Sequence, residues 1–271
     1  DITFLFNNTS SFFLNNGTVT TFENSIHIVM NKLQNNGYII SKFLIDKNET
    51  KCLSCVSINN FNIIENTGQI VSNQLELTTY RLYNEGIILG NENSLFIVFS
   101  ILSLKQQSYI NLMHTKISIP SYYLEINGIF ELDSPEYCLI DKNDYAFNSL
   151  IITKESKLII KNFDFKFYEI INKGEFELHN SKITGTFYTS DLESITSLYG
   201  DFYVEAKVFN EKGTTKYNEN LHIICGDSYS SFGINDVKGS VKIDIKGKTP
   251  NRCISLILYQ MLCGKDTTNY K

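Results

Sequence analysis

A short glycine-containing phrase recurs six times along this chain. In each copy an apolar residue leads into asparagine or a similar polar residue, then glycine, then alternating apolar residues. The copies are "LNNGTVT" from Leu14, "LQNNGYIIS" from Leu33, "IENTGQIVS" from Ile64, "LYNEGIILG" from Leu82, "LEINGIFEL" from Leu124 and "EIINKGEFEL" from Glu169. Recurrence of this kind predicts a fold built from one repeated structural unit.

The spacing of the phrase glycines gives the length of that unit. The intervals are 20, 31, 18, 42 and 46 residues, and the last two are each close to two units. A period of about 20 to 23 residues predicts a solenoid in which each unit is one coil. The glycines are Gly17, Gly37, Gly68, Gly86, Gly128 and Gly174.

The chemistry of the phrase predicts a corner followed by a strand. Asparagine and glycine tolerate positive φ, which we expect a tight corner to need. The alternating residues that follow fit a short strand with one face inward. Stacked coils bury that face at a spacing of about 4.8 Å. We therefore predict a parallel β-helix of eight or nine coils over residues 1–190, with a β-sandwich of regularly spaced hairpins as the alternative.

Two stretches depart from the repeat. The 31-residue interval contains a polar insertion, Asp46 to Cys55, which we predict to be a loop that leaves the coils. Beyond about Lys182 the phrase stops, and "GDFYVEAKVFN", "ENLHIICG", "GSVKIDIKG" and "CISLILYQMLC" are longer strand patterns separated by turn residues. These predict an antiparallel, sandwich-like module over residues 191–271 that covers the open end of the β-helix.

Composition narrows the classes of partner. Hydrophobic residues make up 42% of the chain, too many for a disordered protein. The net charge of −5 with scattered cations disfavours nucleic acid and anionic membranes. The longest apolar run, "LFIVFSILSL" from Leu95, is about half the length of a membrane-spanning helix and predicts a buried strand.

Cysteines and sequons predict a secreted chain. An even cysteine count fits an oxidising compartment, and we expect these cysteines to form disulfides whose pairing stays open among 15 arrangements: Cys52, Cys55, Cys138, Cys225, Cys253 and Cys263. A zinc or redox site at Cys52 and Cys55 is disfavoured, because no second Cys-x-x-Cys pair exists and no histidine lies nearby. The candidate N-glycosylation sites are Asn7, Asn8, Asn16 and Asn48.

Taken together, the "NNG" coils, the asparagine-rich secreted character and the cysteine-bearing β tail resemble the N-terminal domain of hyphally regulated cell-wall proteins. This family includes adhesin-like wall proteins of pathogenic yeasts, and the resemblance covers essentially the whole chain. It implies a right-handed β-helix with a C-terminal β-sandwich of α-crystallin-like type. It also implies display at the tip of a Ser/Thr-rich stalk that a GPI remnant joins to the wall. The family supplies no catalytic motif to carry over.

Sequence motifs for chemistry are weak. Gly226-Asp227-Ser228 is similar to the start of an esterase family, but no histidine base follows Ser228, so we predict a turn. The four histidines are dispersed, and we predict ordinary surface or partly buried side chains without a metal: His27, His114, His179 and His222. We predict no catalytic, cofactor-binding or metal-binding residues.

The main rival is a secreted β-helix polysaccharide lyase or hydrolase. Such an enzyme gathers two or three carboxylates on one face. The densest acidic stretch holds Glu131, Asp133 and Glu136, with Asp141 and Asp144 nearby, and turn chemistry explains it equally well. One coil length beyond Asp141 and Asp144 the sequence has a single acidic residue, Asp164. The acidic residues therefore do not recur at the coil period.

We therefore predict a monomeric, non-enzymatic adhesin domain at the fungal cell surface. Its partner would be a host-surface or matrix ligand, with carbohydrate among the candidates, and exposed tyrosines such as Tyr122, Tyr123 and Tyr229 could form the contact. A purely structural wall component without a specific ligand is a further alternative.

Overall fold

The computed structural model of the chain describes residues 1–6, 10–22, 24–42, 55–119, 123–137, 147–200, 202–217, 221–231, 234–238 and 240–245. These residues form strands joined by turns, and none of them is helical. No helix long and apolar enough to cross a membrane therefore occurs in this part of the chain. The run from Leu95 is a strand, as predicted.

Twenty-six strands follow one another along the described residues. They are β1 (Ile2–Leu5), β2 (Phe12–Asn15), β3 (Thr18–Phe22), β4 (Ile26–Asn35), β5 (Tyr38–Lys42), β6 (Cys55–Asn66), β7 (Gln69–Ser72), β8 (Gln74–Asn84), β9 (Ile87–Gly90), β10 (Leu95–Leu104), β11 (Tyr109–Met113), β12 (Lys116–Ser118), β13 (Leu124–Ile126), β14 (Ile129–Asp133), β15 (Glu136–Tyr137), β16 (Phe147–Ile152), β17 (Lys157–Lys161), β18 (Phe165–Asn172), β19 (Glu175–His179), β20 (Lys182–Ser190), β21 (Ile195–Tyr199), β22 (Phe202–Glu211), β23 (Thr214–Tyr217), β24 (Leu221–Ser231), β25 (Ile234–Val237) and β26 (Val241–Ile245).

All strand pairings among the described residues are parallel, and they form three sheets. Sheet A has the order β1-β4-β6-β8-β10-β12-β15, with β2 also paired to β4. Sheet B has the order β3-β5-β7-β9-β11-β14-β17-β19-β21-β23-β25, and sheet C the order β13-β16-β18-β20-β22-β24-β26. Nine strands of sheet B lie between Thr18 and Tyr199, one for each coil, which confirms the predicted parallel β-solenoid.

The glycine phrases occupy one corner of the solenoid. Each of the six glycines directly precedes a strand of sheet B: β3, β5, β7, β9, β14 or β19. At this corner the main chain links successive coils, since Tyr38 N donates to Gly17 O at 2.8 Å and Gln69 N donates to Gly37 O at 2.8 Å. The prediction of equivalent corners is confirmed.

The reason for glycine at that corner differs from the one we expected. None of the six has a positive φ. A Cβ on Gly37 would instead overlap the carbonyl oxygen of Gly17, and the same holds for Gly68 on Gly37 and for Gly86 on Gly68. Close approach between coils, not left-handed geometry, therefore requires the missing side chain. Five of the seven described residues with positive φ lie instead at the corner that follows sheet B, while Asn93 and Glu155 lie in other turns; the five are His114, Ser134, Asn162, Asn180 and Gly200.

The asparagine before each early corner belongs to a buried amide ladder. Asn15 Nδ2 donates to Asn35 Oδ1, Asn35 to Asn66 and Asn66 to Asn84, each at 2.7 Å. Asn35, Asn66 and Asn84 are almost fully buried. The amides also donate to corner carbonyl groups, as Asn84 Nδ2 does to Gly86 O at 2.9 Å. Leu104 takes the next position in register and ends the ladder.

Apolar side chains fill the interior along its length. Alternate residues of nearly every strand point inward, as in the buried and half-buried alternation of β7, β9 and β17. The largest fully buried side chains are Tyr188, Phe96, Phe130, Phe167 and Phe176. These residues are distributed over four coils, and the buried apolar side chains form one continuous core from Ile26 to Cys225.

Past residue 190 the strands continue the solenoid. The sequence predicts antiparallel strands here, but β20, β22, β24 and β26 pair in parallel, and β21, β23 and β25 extend sheet B. Their alternation serves the same core, because Ala206, Phe209, Ile223 and Cys225 are buried. The segment "CISLILYQMLC" and the predicted loop between β5 and β6 lie outside the described residues, except for Cys55, which begins β6.

Substitution of a stacked corner glycine should destabilise the protein. We expect Gly68→Ala to lower the free energy of unfolding by about 1–3 kcal/mol, because its Cβ would collide with the main chain of the preceding coil. Gly17→Ala is the matched control, since a Cβ at Gly17 meets no atom within 4 Å. Urea denaturation followed by circular dichroism measures both, and equal losses would contradict the close-approach explanation.

Removal of a central ladder amide should cost more than removal of the last one. Asn66→Leu breaks two ladder hydrogen bonds and strands the buried Oδ1 of Asn84, so we expect a loss of about 1–3 kcal/mol. Asn84→Leu breaks one ladder hydrogen bond and places a leucine beside Leu104, its partner in register on the next coil. Thermal unfolding compares the two variants, and a larger shift for Asn84→Leu would be inconsistent with the ladder.

Candidate functional site

The outer face of sheet B is a regular surface that runs along the described coils. Its strands pair without a register shift, whereas the pairings of β4, β6, β8, β10, β22 and β24 contain bulges. Because side chains alternate along each strand, outward residues of successive coils form straight columns. One such column runs through Val71, Leu89, Asn111, Glu131 and Ile159.

A band of ion pairs crosses this face. We call the following residues the ion-pair band: Glu131, Lys157, Lys161, Glu175, Glu177 and His179. Lys161 Nζ lies 2.7 Å from Glu131 Oε1, and Lys157 Nζ lies 2.6 Å from Glu177 Oε2. His179 Nε2 lies 2.6 Å from Glu177 Oε1, and its ring stacks on Tyr199 with centroids 4.3 Å apart.

The ion pairs favour the charged forms of Glu177, Lys157 and Lys161. Burial raises the pKa of Glu177, but hydrogen bonds from Lys157 and His179 outweigh it, so the pKa lies below its ordinary value. The hydrogen bond to Glu131 raises the pKa of Lys161 against the effect of burial. Burial lowers the pKa of Lys157, but its contacts with Glu177 and Glu175 bring the net pKa above the ordinary value.

A hydrogen-bonded group joins the band to the neighbouring coils. Tyr109 Oη donates to Glu131 Oε2 at 3.1 Å, and Asn111 Nδ2 donates to Tyr109 Oη at 3.0 Å and to Glu131 Oε2 at 3.1 Å. Burial, together with the charge of Glu131, raises the pKa of Tyr109, so the phenol keeps its proton at neutral pH. Asn111 Oδ1 is buried and has no hydrogen-bond partner among the described residues.

Next to this group the face sinks into a shallow depression. Its volume is about 310 Å³. Val71 and Leu89 form apolar lining, and Asn73, Asn91 and Asn111 contribute amides beside Tyr109. We call this the sheet B depression, and its described lining carries no charged side chain.

A row of exposed aromatic side chains marks another corner of the same coils. Phe61, Tyr80 and Phe99 lie at the register shifts of β6, β8 and β10, where the chain turns from one run of paired residues to the next. Their exposed fractions are 68%, 46% and 57%. Since successive strands are about 4.8 Å apart, the three rings follow one another along the solenoid. We call these three residues the aromatic ridge.

The structure separates the acidic residues that the sequence singled out. Glu131 belongs to the ion-pair band, and Asp133 accepts hydrogen bonds from Ser134 and Asn162 at the following corner. Glu136 is exposed at the start of β15, and Asp164 accepts a hydrogen bond from the main chain of Lys182. Asp141 and Asp144 lie outside the described residues.

Sequence reasoning missed most of the ion-pair band. Glu131 and Glu177 share an outward column, but they are two coils apart and Ile159 lies between them. A search for acids at one coil period therefore passes over the pair. A search at two periods, with lysines on the intervening strand, would have found it.

The cysteine prediction needs correction for the described residues. No disulfide occurs among them: Cys55 begins β6 and its Sγ lies 3.4 Å from Ser25 Oγ, so it is not part of a protruding loop. Cys225 points into the apolar core. An even count of cysteines does not place their side chains, and here the strand register puts these two in separate surroundings. Cys52, Cys138, Cys253 and Cys263 lie outside the described residues.

The remaining predicted residues lie in ordinary strand or corner positions. Asn16 is exposed, and its Oδ1 accepts a hydrogen bond from Asn36 at 2.8 Å, while Asn7, Asn8 and Asn48 lie outside the described residues. Gly226 and Asp227 lie at a register shift within β24 rather than in a separate turn. His222 contacts Asp244 at 2.8 Å. Within the described ranges no three acidic, histidine or cysteine side chains could together hold a metal ion.

Comparison with known proteins adds no relative. No family model matches the chain, and neither a curated protein nor a solved structure matches it. The case for function therefore comes from the surface of the solenoid and from the resemblance of its sequence.

Loss of the Glu177 carboxylate should matter at neutral pH and not in acid. Because the folded pKa of Glu177 is lowered, its stabilisation is present above the unfolded pKa and is lost as the pH falls through the folded value. We expect Glu177→Gln to lower the free energy of unfolding by about 1 kcal/mol at pH 7 and to have no effect near pH 2.

The matched control is Glu193→Gln. Glu193 also pairs with a lysine, at 2.7 Å, but both side chains are more than two thirds exposed, so no measurable change is expected. Urea denaturation midpoints across this pH range test both variants. A Glu177→Gln effect that persists in acid would show that packing, rather than the ion pairs, is responsible.

Proposed function

We propose that this solenoid is a non-enzymatic adhesion domain, secreted and displayed on a fungal cell wall as part of a GPI-anchored precursor. The observation that carries the proposal is the aromatic ridge. Exposed aromatic side chains that stand singly on a surface are ordinary, whereas these three lie on successive strands and form one contiguous patch, which is typical of an interaction site. The resemblance to adhesin-like wall proteins supports the same assignment.

The ridge suits reversible attachment. Aromatic rings present a rigid apolar surface at low entropic cost, and they contact sugar rings and protein side chains alike. Arg81 lies beside the ridge, with its guanidinium carbon 5.6 Å from the centre of the Tyr80 ring. A ligand on a host surface or in its matrix could therefore make both apolar and polar contacts here. Many copies on one wall would multiply a weak single contact.

The electrostatics of sheet B favour a non-enzymatic role. Glycoside hydrolysis needs one carboxylic acid with a raised pKa opposite a second carboxylate. Glu177 instead has a lowered pKa, and both it and Glu131 are paired with lysines. A lyase needs a base that is free of its proton, whereas Lys157 and Lys161 hold their protons more firmly than usual.

Two finer features of the fold belong to the same proposal. We expect the coils to be right-handed, because crossovers between parallel strands of one sheet are right-handed in nearly all proteins. We also expect a C-terminal β module, the α-crystallin-like sandwich that the resemblance implies, to cover the end of the solenoid. The strands described up to Ile245 continue the coils, and residues 246–271 lie outside the described residues.

Attachment should depend on the ridge. We expect the double variant Phe61→Ser, Phe99→Ser to reduce binding of protein-coated beads to immobilised glycans or matrix proteins by about tenfold or more, because two stacking surfaces are lost. Leu192→Ser is the matched control, since Leu192 is 74% exposed but lies far along the chain from the ridge.

Two outcomes would overturn the proposal. Beads that bind none of the tested glycans or matrix proteins would favour a purely structural wall component. Release of oligosaccharides from plant, fungal or animal polysaccharides by the pure protein would identify an enzyme. Circular dichroism of each variant establishes that a loss of binding does not come from unfolding.

A further inference from the structure

We infer that the sheet B depression is a binding site for one neutral sugar unit of a larger glycan. This inference rests on the proposed adhesive function for its class of ligand, but it concerns a surface distinct from the aromatic ridge. The depression lies on the outer face of sheet B, whereas the ridge lies at the register shifts of β6, β8 and β10.

The lining matches the two kinds of surface that a pyranose ring presents. Val71 and Leu89 are directly adjacent on neighbouring strands and form an apolar strip that fits the C–H face of a sugar. Amides of Asn73 and Asn91 stand at one side of this strip, and Tyr109 and Asn111 stand on the next coil. Amides both donate and accept hydrogen bonds, as neighbouring sugar hydroxyl groups require.

Asn111 provides the most specific feature. Its Nδ2 is held by Tyr109 Oη and Glu131 Oε2, which fixes the direction of the amide. Its Oδ1 is consequently left buried without a donor among the described residues. A buried acceptor without a partner is costly, so its presence calls for an explanation. A hydroxyl group of a ligand that settles between Tyr109 and Leu89 would supply the missing donor.

The charges around the depression select a neutral sugar over an acidic one. The nearest charged group in the network is the Glu131 carboxylate, bound to Tyr109 and Asn111, and it would oppose a uronic or sialic acid. The cations that could offset this repulsion, Lys157 and Lys161, are already paired with glutamates. A neutral hexose or N-acetylhexosamine meets no such obstacle.

The volume and the shallowness of the depression set the expected affinity for a sugar. A volume of about 310 Å³ is at the lower end for small-molecule sites, which suits one or two sugar rings. The site is shallow and makes few hydrogen bonds, so we expect a dissociation constant on the order of 1–10 mM for a monosaccharide.

The test titrates the isotope-labelled protein with separate sugars and follows amide chemical shifts. Glucose, galactose, mannose and N-acetylglucosamine are the neutral probes, and glucuronic acid and N-acetylneuraminic acid are the acidic ones. We expect saturable shifts around Leu89, Asn91 and Asn111 with at least one neutral sugar, and at least tenfold weaker binding of both acids. No saturable shift there with any neutral sugar up to 100 mM would overturn the inference.

Variants at matched positions show whether the depression is responsible. Leu89→Trp should fill it and abolish binding, whereas Ile159→Trp should leave binding unchanged, because Ile159 is a half-buried aliphatic residue of the same outward column outside the depression. Asn91→Ala removes one exposed amide and should weaken binding about fivefold. Equal effects of the two tryptophan variants would place the sugar elsewhere and refute the site.

The outcomes separate this inference from the proposed function. If beads still adhere with Leu89→Trp but not with the double ridge variant, the adhesive function is upheld. If, in addition, no sugar causes chemical-shift changes, the sugar site is rejected. Saturable sugar binding without any bead adhesion would uphold the site and reject the adhesive role. Cleavage of a bound glycan would reject the non-enzymatic function while leaving the sugar site in place.

Discussion

The close main-chain contact between coils at the glycine corner is the constraint on which the rest of the structure depends. There the carbonyl oxygen of one glycine occupies the space that a side chain of the next would need. The same approach brings Asn15, Asn35, Asn66 and Asn84 within hydrogen-bond distance of one another. Because main chain and amides are linked coil by coil, the outward columns of sheet B stay in register along its outer face.

The sequence contained much of this scaffold. The intervals from Gly17 to Gly37 and from Gly68 to Gly86 predicted the coil length, and the recurrent phrase predicted the equivalent corners even across the insertion between Gly37 and Gly68. The sequence did not reveal why glycine was needed, because a positive φ and a close approach between chains both favour glycine. It also did not distinguish parallel from antiparallel strands beyond residue 190, since inward and outward residues alternate in the same way in both.

The surface sites were harder to predict for a related reason. Glu131 and Glu177 are 46 residues apart, and the ion-pair band appears only when their columns are aligned through Ile159. Val71 and Leu89 look like any alternating apolar pair until the neighbouring amides are placed beside them. Phe61 and Phe99 sit at bulges, where the alternation that predicts burial changes phase. Local patterns therefore report the coil, while the sites depend on contacts between coils.

The aromatic ridge and the sheet B depression belong largely to the same coils, those formed by β6 to β11. The buried amide ladder and the stacked glycines also pass through this part of the solenoid. A rigid support lowers the entropy lost when a ligand binds, which matters most for shallow sites whose few contacts leave little surplus free energy. The part of the solenoid that both the amide ladder and the stacked glycines hold together is therefore suited to bind a surface ligand weakly. If the domain is displayed in many copies on a cell wall, as we propose, multivalency would convert that weak binding into firm attachment.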